Sequence, residues 1–521
     1  MDNKQQTKAS NPYLIFREED FYWNRNANRK QQESTPSSYS WFFKLAAILC
    51  FTSLQFFIIC TVLDLWLPRI DLDYSVNPEQ IHLSLGRKDG EYIVTWATKN
   101  PAKCYLLSDD RKSEVFGLTE GRLSQVRIEN KQNDDTSRLF SNDYGDSISR
   151  YFHLATLNLD SVSAKEIQYY ISCDQDGTSW AQSPTFNLRP IRFEDETRAL
   201  NVVFLGDFGL VNGRSEDSLI IEANSGENDL FIHNGDFAYD LNTDEGKYGD
   251  KFMRKIQPFA AQVPYMTSVG NHEVASNFSH YDKRFHMINR GPVHTGEENN
   301  FYYSYNAGPV HFIAISTEFY YFLDYSGLAP LVKQYEWLRA DLEFATRPTE
   351  RAKRPWIIVY GHRPMYCSSR DKDDCTKDSN LLRRGVPFTH AYALEKLFYD
   401  YGVDVELYSH EHQYERFLPI YDGKVYNGTD KPNDPYFNPR APVHLISGSA
   451  GCQEKLDPFT RHSAVGSIKR VAEYGYTKIR ASHCQIQFKQ LSVSGRVLDG
   501  FVIEKNRQNF GNRSMTYSEC V

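Results

Sequence analysis

Two histidines lie two residues apart where an apolar run gives way to polar sequence. The run VELY (405–408) is followed by Ser409, His410, Glu411 and His412. On an extended backbone, residues i and i+2 point to the same side, so both imidazoles could face one point in space. Imidazole nitrogen is a common ligand of transition metals. The pair alone is weak support for a metal site, because most such pairs are solvated loop residues.

Four other apolar runs also end in residues that can bind metals. Each such residue has an ordinary explanation as a helix cap or a turn former. Five run ends with Asp, Asn, His or Tyr together favour one site for a hard-to-borderline metal. The other four sets are Asp207 with Gly209 in GDFG, Asp236 with Tyr239 in GDFAY, Asn271, His272 and Glu273 in GNHE, and His362 in GHRP.

Two kinds of periodicity indicate the elements that position these residues. From about residue 196, continuous apolar runs such as LNVVFLGD and RPWIIVYGH alternate with helical stretches such as QYEWLRADLEFATR. This alternation predicts an α/β domain over residues 196–521 whose sheets are covered by helices. Ligands of such sheets gather at the strand ends. Residues 72–190 instead contain short alternating runs separated by turn formers, which predicts a fibronectin-like antiparallel β-sandwich.

Length and charge set the broad class of protein. A chain of 521 residues with 40% hydrophobic content predicts a globular protein of more than one domain. The net charge of −8 is spread along the chain without a basic block, so we predict no nucleic-acid partner. Residues 1–40 are polar and are expected to form a disordered cytosolic tail.

Residues 45–63, within a predicted anchor at 41–67, contain no charged side chain. About 20 such residues span a bilayer. The flanking basic residues lie mainly upstream, which predicts a type II signal anchor with the remainder of the chain in the lumen or outside the cell. A cleaved signal peptide, giving a secreted protein, is the main alternative. A buried core helix is a third interpretation of this segment.

Sequons and cysteines agree with an extracytosolic location. Sequons begin at Asn277, Asn427 and Asn512, all beyond the predicted anchor. Seven cysteines also lie beyond it, and Cys367 and Cys375, which flank a short polar loop, are the favoured disulfide. The odd number leaves one thiol free or paired with another chain, so a homodimer stays open. The remaining pairings cannot be deduced.

The motifs GDFG, GDFAY, GNHE, GHRP and SHEHQYER, in this order, resemble the signature of the purple acid phosphatases, which are calcineurin-like metallophosphoesterases. The resemblance covers about residues 76–521 and is strongest to the animal iron/zinc-type members. It implies a two-sheet α/β sandwich with a C-terminal purple acid phosphatase region, preceded by the fibronectin-like domain. Tyr239 distinguishes this group, since most other metallophosphoesterases lack a ligand at that position.

The resemblance also implies a ligand set. Asp207, Asp236, Tyr239 and His412 would bind Fe(III), whereas Asp236, Asn271, His362 and His410 would bind Zn(II), Fe(II) or Mn(II). Asp236 would bridge the two ions. Two aspartates and a tyrosinate would repel one another in a small pocket, and a trivalent with a divalent ion would overcompensate their charge.

The implied reaction is hydrolysis of a phosphate monoester by attack of a metal-bound hydroxide. His272 resembles the family histidine that contacts the phosphate and can protonate the leaving oxygen. Its alternative is a purely structural histidine beside the ligands. Two other functions stay open: a phosphodiesterase or pyrophosphatase acting on nucleotides or lipids with the same metal ligands, and a non-catalytic adhesion ectodomain. A non-catalytic ectodomain would be expected to lack some of the metal ligands, and none of them is missing from this sequence.

Two features depart from the family pattern. The loop CSSRDKDDC, which follows the GHRP motif, lacks the histidines found in plant members and is rich in aspartate. Arg370 or Lys372 could contact substrate there, but acids near a phosphate are unfavourable, so we expect a different substrate preference from the plant enzymes. In addition, Ser409 replaces the usual glycine, which predicts a slight shift of the loop that carries His410.

Overall fold

The computed structural model describes residues 76–108, 150–159, 166–174, 180–191, 198–291, 299–428 and 434–505. The predicted tail and anchor, as well as Asn512, lie outside these ranges. No helix within the described ranges is long and apolar enough to cross a bilayer. The described residues fall within one compact unit, Tyr74–Val521, and the domain boundary between residues 190 and 196 stays a prediction.

The first seven strands form two antiparallel sheets. One sheet has the order β1-β2-β4, and the other has the order β3-β5-β6, with β7 also paired to β5. The short alternating runs of this region are confirmed as strands, whereas the finer assignment to a fibronectin type stays a prediction. The strands are β1 Glu79–Leu85, β2 Glu91–Thr98, β3 Lys103–Ser108, β4 Tyr151–Asn158, β5 Ile167–Asp174, β6 Trp180–Gln182 and β7 Phe186–Leu188.

Most of the later strands belong to two mixed sheets. They are β8 Leu200–Leu205, β9 Phe208–Gly209, β10 Leu230–Asn234, β11 Phe237–Ala238, β12 Tyr265–Ser268, β13 Tyr303–Ala307, β14 Val310–Ala314, β15 Trp356–Tyr360, β16 Val405–Tyr408, β17 Tyr414–Phe417, β18 Ile420–Tyr421, β19 Lys424–Val425, β20 Val443–Ser447, β21 Ser467–Val471, β22 Gly475–Ala481, β23 Gln485–Ser492 and β24 Val497–Glu504. The first sheet has the order β12-β10-β8-β22-β23-β24 and the second β13-β14-β15-β16-β20-β17-β21.

Each mixed sheet has a parallel part and an antiparallel part. Strands β12, β10 and β8 are parallel, as are β14, β15, β16 and β20. Parallel strands are covered on both faces, which explains runs such as Trp356–Tyr360 in which every residue is buried. The predicted α/β architecture is therefore confirmed. The C-terminal strands β20–β24, which complete both sheets, were not predicted.

The helices connect the parallel strands and cover them. The described helices are α1 Glu216–Ser225, α2 Lys247–Ala260, α3 Ser279–Arg284, α4 Leu323–Ser326, α5 Leu328–Ala345, α6 Pro348–Lys353, α7 Leu381–Arg384 and α8 Leu394–Asp400. Short 3₁₀ turns occupy Asn271–Glu273, Glu318–Tyr320 and Asp374–Thr376. Helix α2 shows why these segments are helical: Phe252, Ile256 and Phe259 recur at helical spacing, and all three are buried.

A buried charge cluster joins the first strands to the helices. The Asp250 carboxylate on α2 accepts hydrogen bonds from Arg150 Nε at 2.6 Å and from Arg284 Nη1 at 2.8 Å. Gln80 of β1 donates to the same carboxylate at 3.3 Å. Burial raises the pKa of Asp250, but the charges of Arg284 and Arg150 lower it by more, so the carboxylate is ionised. The cluster therefore depends on one negative charge that faces two arginines.

Replacing Asp250 with alanine should lower the free energy of unfolding by about 3–5 kcal/mol, because two arginines lose their counter-charge in a buried position. A fall in the thermal unfolding midpoint measures this effect. Asp244→Ala is the control: Asp244 makes an exposed ion pair with Lys247, whose loss costs little. Because the pKa of Asp250 is lowered in the fold, its stabilisation is present above its ordinary pKa and is lost as pH falls. Equal midpoints for the two variants would contradict this account.

Candidate metal centre

The candidate metal donors follow the carboxyl ends of parallel strands in both mixed sheets. Strands β8, β10 and β12 lead to them in the first sheet, and β15 and β16 in the second. Carboxyl ends of parallel strands share one edge, so residues distant in sequence come together there. All seven donors predicted from the sequence lie in one cluster: Asp207, Asp236, Tyr239, Asn271, His362, His410 and His412.

Four residues of this cluster have a left-handed backbone. The φ angle is 58° at Asp207, 57° at Asp236, 56° at Tyr239 and 69° at His410. For residues with a Cβ this conformation costs about 1–2 kcal/mol each, so it persists only where the surrounding structure enforces it. Such strain concentrates at binding and catalytic sites. Here it accompanies the sharp turns that direct the side chains into the cluster.

Glycines make room for the cluster at two close approaches. A Cβ on Gly270 would lie 2.2 Å from Asp236 Oδ1, so no side chain fits there. A Cβ on Gly206 would lie 2.0 Å from Ser409 Oγ, which shows how a serine is accommodated before His410. Ser409 Oγ also accepts a hydrogen bond from Asn234 Nδ2 at 3.1 Å. Whether the serine shifts the loop relative to other family members stays a prediction.

Tyr239, His412 and Asp207 form one half of the cluster. The Tyr239 hydroxyl lies 2.8 Å from His412 Nε2 and 3.2 Å from Asp207 Oδ1. His412 Nε2 lies 3.5 Å from the same Asp207 oxygen. On the far side of the ring, His412 Nδ1 lies 2.9 Å from the Lys455 carbonyl oxygen. A proton donated from Nδ1 to that carbonyl leaves the lone pair of Nε2 facing the cluster.

Asp236, Asn271, His362 and His410 form the other half. His362 Nε2 lies 3.1 Å from Asp236 Oδ2 and 3.2 Å from Asn271 Oδ1, and His410 Nδ1 lies 3.3 Å from His362 Nε2. One donor atom from each of Asp236, His362 and His410 lies within 4.8 Å of the other two. The backbone N–H of His410 donates to Asp207 Oδ2 at 3.0 Å, which joins the two halves.

The pKa shifts within the cluster indicate that its buried carboxylates need compensating positive charge. Burial raises the pKa of Tyr239 well above its ordinary value, and Asp207 and Asp236 raise it further. Burial lowers the pKa of His412, but hydrogen bonds with Asp207 and Cys452 raise it by more, to about 12. Burial likewise lowers the pKa of His362, and Asp236 raises it to about 9. The aspartates thus draw protons onto the imidazoles, and bound cations would displace those protons.

The donor set fits a pair of metal ions. It combines carboxylate and amide oxygens, a phenol and three imidazoles, which suit hard-to-borderline metals. Asp207, Asp236 and His362 are essentially inaccessible to solvent. Buried carboxylates so close together are unfavourable unless cations compensate them. The residues present therefore fit the binuclear centre that the sequence implied.

His272 lies beside the cluster, next to Asn271 in the chain. Its Nδ1 lies 2.5 Å from Asp240 Oδ1, while Nε2 lies 3.9 Å from Asp236 Oδ2 and 3.6 Å from Glu454 Oε1. Burial lowers the pKa of His272, but Asp236 and then Asp240 raise it by more, to about 10. The side chain is 20% exposed, so the imidazole is anchored at one nitrogen and accessible at the other.

Glu273 organises the backbone around Asp236. Its buried carboxylate accepts hydrogen bonds from the backbone N–H groups of Asp236, Phe237 and Gly270, at 3.0, 2.9 and 2.9 Å. The GNHE motif thus links the turn after β12 to the turn after β10. The sequence analysis placed Glu273 at this strand end but gave it no role. Its hydrogen bonds show that it holds the backbone around Asp236 in place.

Sequence reasoning missed two charged residues next to His410. Arg363 follows His362 in the GHRP motif, and its Nη1 lies 2.9 Å from His410 Nε2. Asp373, from the aspartate-rich loop, places Oδ2 2.5 Å from the same nitrogen. Arg370 and Lys372, the predicted substrate contacts on that loop, are exposed. The adjacency of Arg363 to a ligand could have identified it, but nothing in the sequence distinguished Asp373 from its acidic neighbours.

The remaining predicted sites fall on the surface or beside the cluster. Asn277 and Asn427 are exposed, as glycan acceptors must be. The Cys367–Cys375 disulfide is present, and a second disulfide joins Cys104 to Cys173. Within the described part of the chain the free cysteine is Cys452, which is buried with its sulfur 3.6 Å from His412 Nδ1.

Two mixed sheets whose strand ends hold this donor set define a metallophosphoesterase. A sequence profile described as calcineurin-like phosphoesterase matches residues 200–414, and one described as iron/zinc purple acid phosphatase-like protein C matches residues 441–500. Acid phosphatase type 7 of Danio rerio is 41% identical over 84% of this chain and 93% of its own length. The Homo sapiens protein of the same name is 39% identical over the same shares of the two chains.

The chain belongs to the purple acid phosphatase family. The solved purple acid phosphatase from seeds of yellow lupin, Lupinus luteus, matches the fold with a TM-score of 0.64 at 20% identity, over 85% of this chain and 78% of the lupin chain. The protein is therefore a metal-dependent acid phosphatase that hydrolyses phosphate esters at a binuclear centre. The prediction of an enzyme is confirmed, and the non-catalytic alternative is set aside.

Proposed function

We propose that the protein hydrolyses phosphate monoesters at an Fe(III)–M(II) centre, where M is Zn, Fe or Mn. In this proposal Fe(III) is held by Asp207, Asp236, Tyr239 and His412, and the divalent ion by Asp236, Asn271, His362 and His410. The observation that carries it is the burial of a phenol between an imidazole and a carboxylate, with Tyr239 Oη 2.8 Å from His412 Nε2 and 3.2 Å from Asp207 Oδ1. A bound cation would offset the burial and the aspartate charges that raise the pKa of this phenol, and would so favour the phenolate.

The bound metal pair would supply Lewis acidity towards the phosphate oxygens and a nucleophile from water at acidic pH. The residues of this chain perform the remaining tasks. Asp240 accepts a hydrogen bond from His272 Nδ1. Burial lowers the pKa of His272, but the charges of Asp236 and Asp240 raise it to about 10, so the imidazole is doubly protonated and Nε2 carries a second proton that faces the site. We propose that Nε2 donates this proton to the leaving alkoxide. Buried Asp207 and Asp236 would hold the metal pair in a fixed position, against which the phosphate would be oriented.

The catalytic domain is proposed to work outside the cytosol, behind the anchor predicted at residues 45–63 or as a secreted protein. The disulfides Cys104–Cys173 and Cys367–Cys375 support an oxidising compartment. The exposure of Asn277 and Asn427 is consistent with glycosylation there. A homodimer and the fibronectin-like assignment of residues 72–190 stay predictions.

Metal content and the visible spectrum of the full chain, wild type beside Tyr239→Phe, test the proposed centre. We expect about one iron and one divalent ion per wild-type chain, with a broad visible band from phenolate-to-Fe(III) charge transfer. The variant should lose the band. Tyr169→Phe is the matched control, since Tyr169 is also buried and its hydroxyl donates to the Ala261 carbonyl at 2.6 Å, away from the cluster.

Other outcomes would point elsewhere. Two equivalents of a colourless metal, with activity indifferent to Tyr239→Phe, would contradict the iron assignment. A ratio of kcat/KM that favours phosphodiesters or pyrophosphates over monoesters would replace the proposed substrate class by the alternative one. Failure to take up any metal would contradict the proposed centre itself.

A further inference from the structure

The loop closed by the Cys367–Cys375 disulfide places Asp373 against a proposed metal ligand. The two carboxylate oxygens of Asp373 have different partners. Oδ2 lies 2.5 Å from His410 Nε2, whereas Oδ1 accepts a hydrogen bond from the backbone N–H of Asp374 at 2.7 Å. Capping the 3₁₀ turn through Oδ1 therefore leaves Oδ2 fixed in direction towards the imidazole.

Arg363 completes the surroundings of that oxygen. Its Nε donates to the buried Glu318 carboxylate at 3.0 Å, and its backbone N–H donates to Thr317 Oγ1 at 3.0 Å. Its Nη1 lies 3.3 Å from Asp373 Oδ2. The guanidinium is thus fixed from behind and presents positive charge to Asp373. The negative charge of Asp373 is therefore compensated by Arg363.

This arrangement favours a proton on Nε2 of His410. His410 Nε2 lies 2.9 Å from Arg363 Nη1, which can only donate, and 2.5 Å from Asp373 Oδ2, which can only accept when ionised. The contact with Asp373 is the shorter one, and Asp373 Oδ2 can accept from both Nε2 and Arg363 Nη1, so a proton on Nε2 is favoured. With the proton on Nε2, the Nδ1 lone pair is free, and Nδ1 is the atom that lies 3.3 Å from His362 Nε2 within the cluster. A carboxylate behind a ligand histidine fixes its tautomer and ring orientation in many metal sites.

The loop itself is held at several points independent of His410. Asp374 Oδ2 accepts hydrogen bonds from the Tyr321 hydroxyl at 2.7 Å and from the Leu381 N–H at 3.0 Å. The Cys367 N–H donates to the Cys375 carbonyl at 3.2 Å, alongside the disulfide between the two residues. Asp373 is therefore presented to His410 by the loop and does not depend on His410 for its position.

We propose that Asp373 is a positioning residue that holds His410 in the tautomer and orientation needed to bind the divalent ion. The inference rests on the proposed function, because it takes His410 as a ligand of that ion. It assigns the disulfide loop to support of the metal site, although the sequence had suggested substrate contact. The main expected consequence of losing Asp373 is weaker retention of the divalent ion, with retention of iron unchanged.

The test measures metal affinity and the visible spectrum in the full-length protein. Asp373→Ala should weaken Zn²⁺ binding at the divalent site, measured by competition with a chelator, by about 10–100-fold. The phenolate band of the iron site should be unchanged, because Asp373 contacts only His410 of the proposed ligands. Asp373→Glu should restore part of the Zn²⁺ affinity. Asp378→Asn is the control, since Asp378 is fully exposed beyond the disulfide.

Each outcome decides between explanations. Wild-type Zn²⁺ affinity in Asp373→Ala, with two metals bound, would overturn this inference and leave the proposed function intact. Equal loss of both metals with a lowered unfolding midpoint would also overturn it, because Asp373 would then only stabilise the loop. A wild-type protein without metal or visible band would refute the proposed function first, and the inference with it.

Discussion

Replacing Asp236 with asparagine should remove both metals and lower the rate of phosphate-ester hydrolysis by about 10⁴-fold or more. Asp236 is the one carboxylate assigned to both ions. Its Oδ2 lies 3.1 Å from His362 Nε2, and its Oδ1 accepts a hydrogen bond from the backbone N–H of His272 at 3.0 Å. An amide keeps the shape of the side chain but provides neither the charge nor two equivalent oxygens for bridging.

The measurement pairs metal analysis with steady-state kinetics at saturating metal. Asp244→Asn controls for the loss of one carboxylate from the same region, because Asp244 is exposed and pairs only with nearby Lys247. His362→Asn gives a second comparison: it should lose the divalent ion but keep the visible band. If Asp236→Asn instead retained one ion and its colour, Asp236 would belong to a single site and the bridging assignment would be wrong.

The sequence was sufficient to predict the cluster because its residues obey a simple rule. Each donor follows an apolar run, and carboxyl ends of parallel strands meet at one edge. Asp207 after β8, Asp236 after β10 and His362 after β15 all follow this rule. Once the runs are recognised as buried strands, the proximity of their polar ends follows from topology. The left-handed φ angles at the turns could not be predicted, since they belong to Asp, Tyr and His residues and not to glycine.

What the sequence could not supply depends on side-chain direction and register. Asp373 looks equivalent to its acidic neighbours in CSSRDKDDC, yet it alone of the loop aspartates approaches His410 Nε2 within hydrogen-bond distance among the described contacts. The Cys104–Cys173 disulfide depends on the pairing of β3 with β5, in which these residues are direct partners. The Cys367–Cys375 bridge was accessible from sequence because its loop is short.

The late antiparallel strands show a different limit. Strand β22 pairs with β8, and its residues lie far from that strand in the chain. It carries Lys478 and Arg480 within the element, so its apolar pattern is weaker than that of the parallel strands. Strand β22 nevertheless belongs to the fold, because it lies in the middle of the first sheet, between β8 and β23. Because only one face of β22 is fully buried, apolar and polar residues alternate along its sequence.

His272→Asn should lower kcat by about 10²–10⁴-fold for alkyl phosphates and far less for p-nitrophenyl phosphate. An alkoxide leaving group needs a proton in the transition state, whereas a nitrophenolate does not. His272 is placed for this role, because Asp240 holds Nδ1 at 2.5 Å while Nε2 faces the cluster. Metal content and the phenolate band should be unchanged, since the proposed ligand is the neighbouring Asn271.

The dependence of log kcat on the pKa of the leaving group separates the two roles open to His272. Loss of a general acid should steepen that dependence, whereas loss of a phosphate contact should lower every rate by a similar factor and raise KM. Asp240→Asn, which removes the negative charge beside Nδ1 without touching Nε2, should give a smaller change of the same kind. An unchanged slope in His272→Asn would assign this histidine to phosphate binding and leave solvent as the source of the proton.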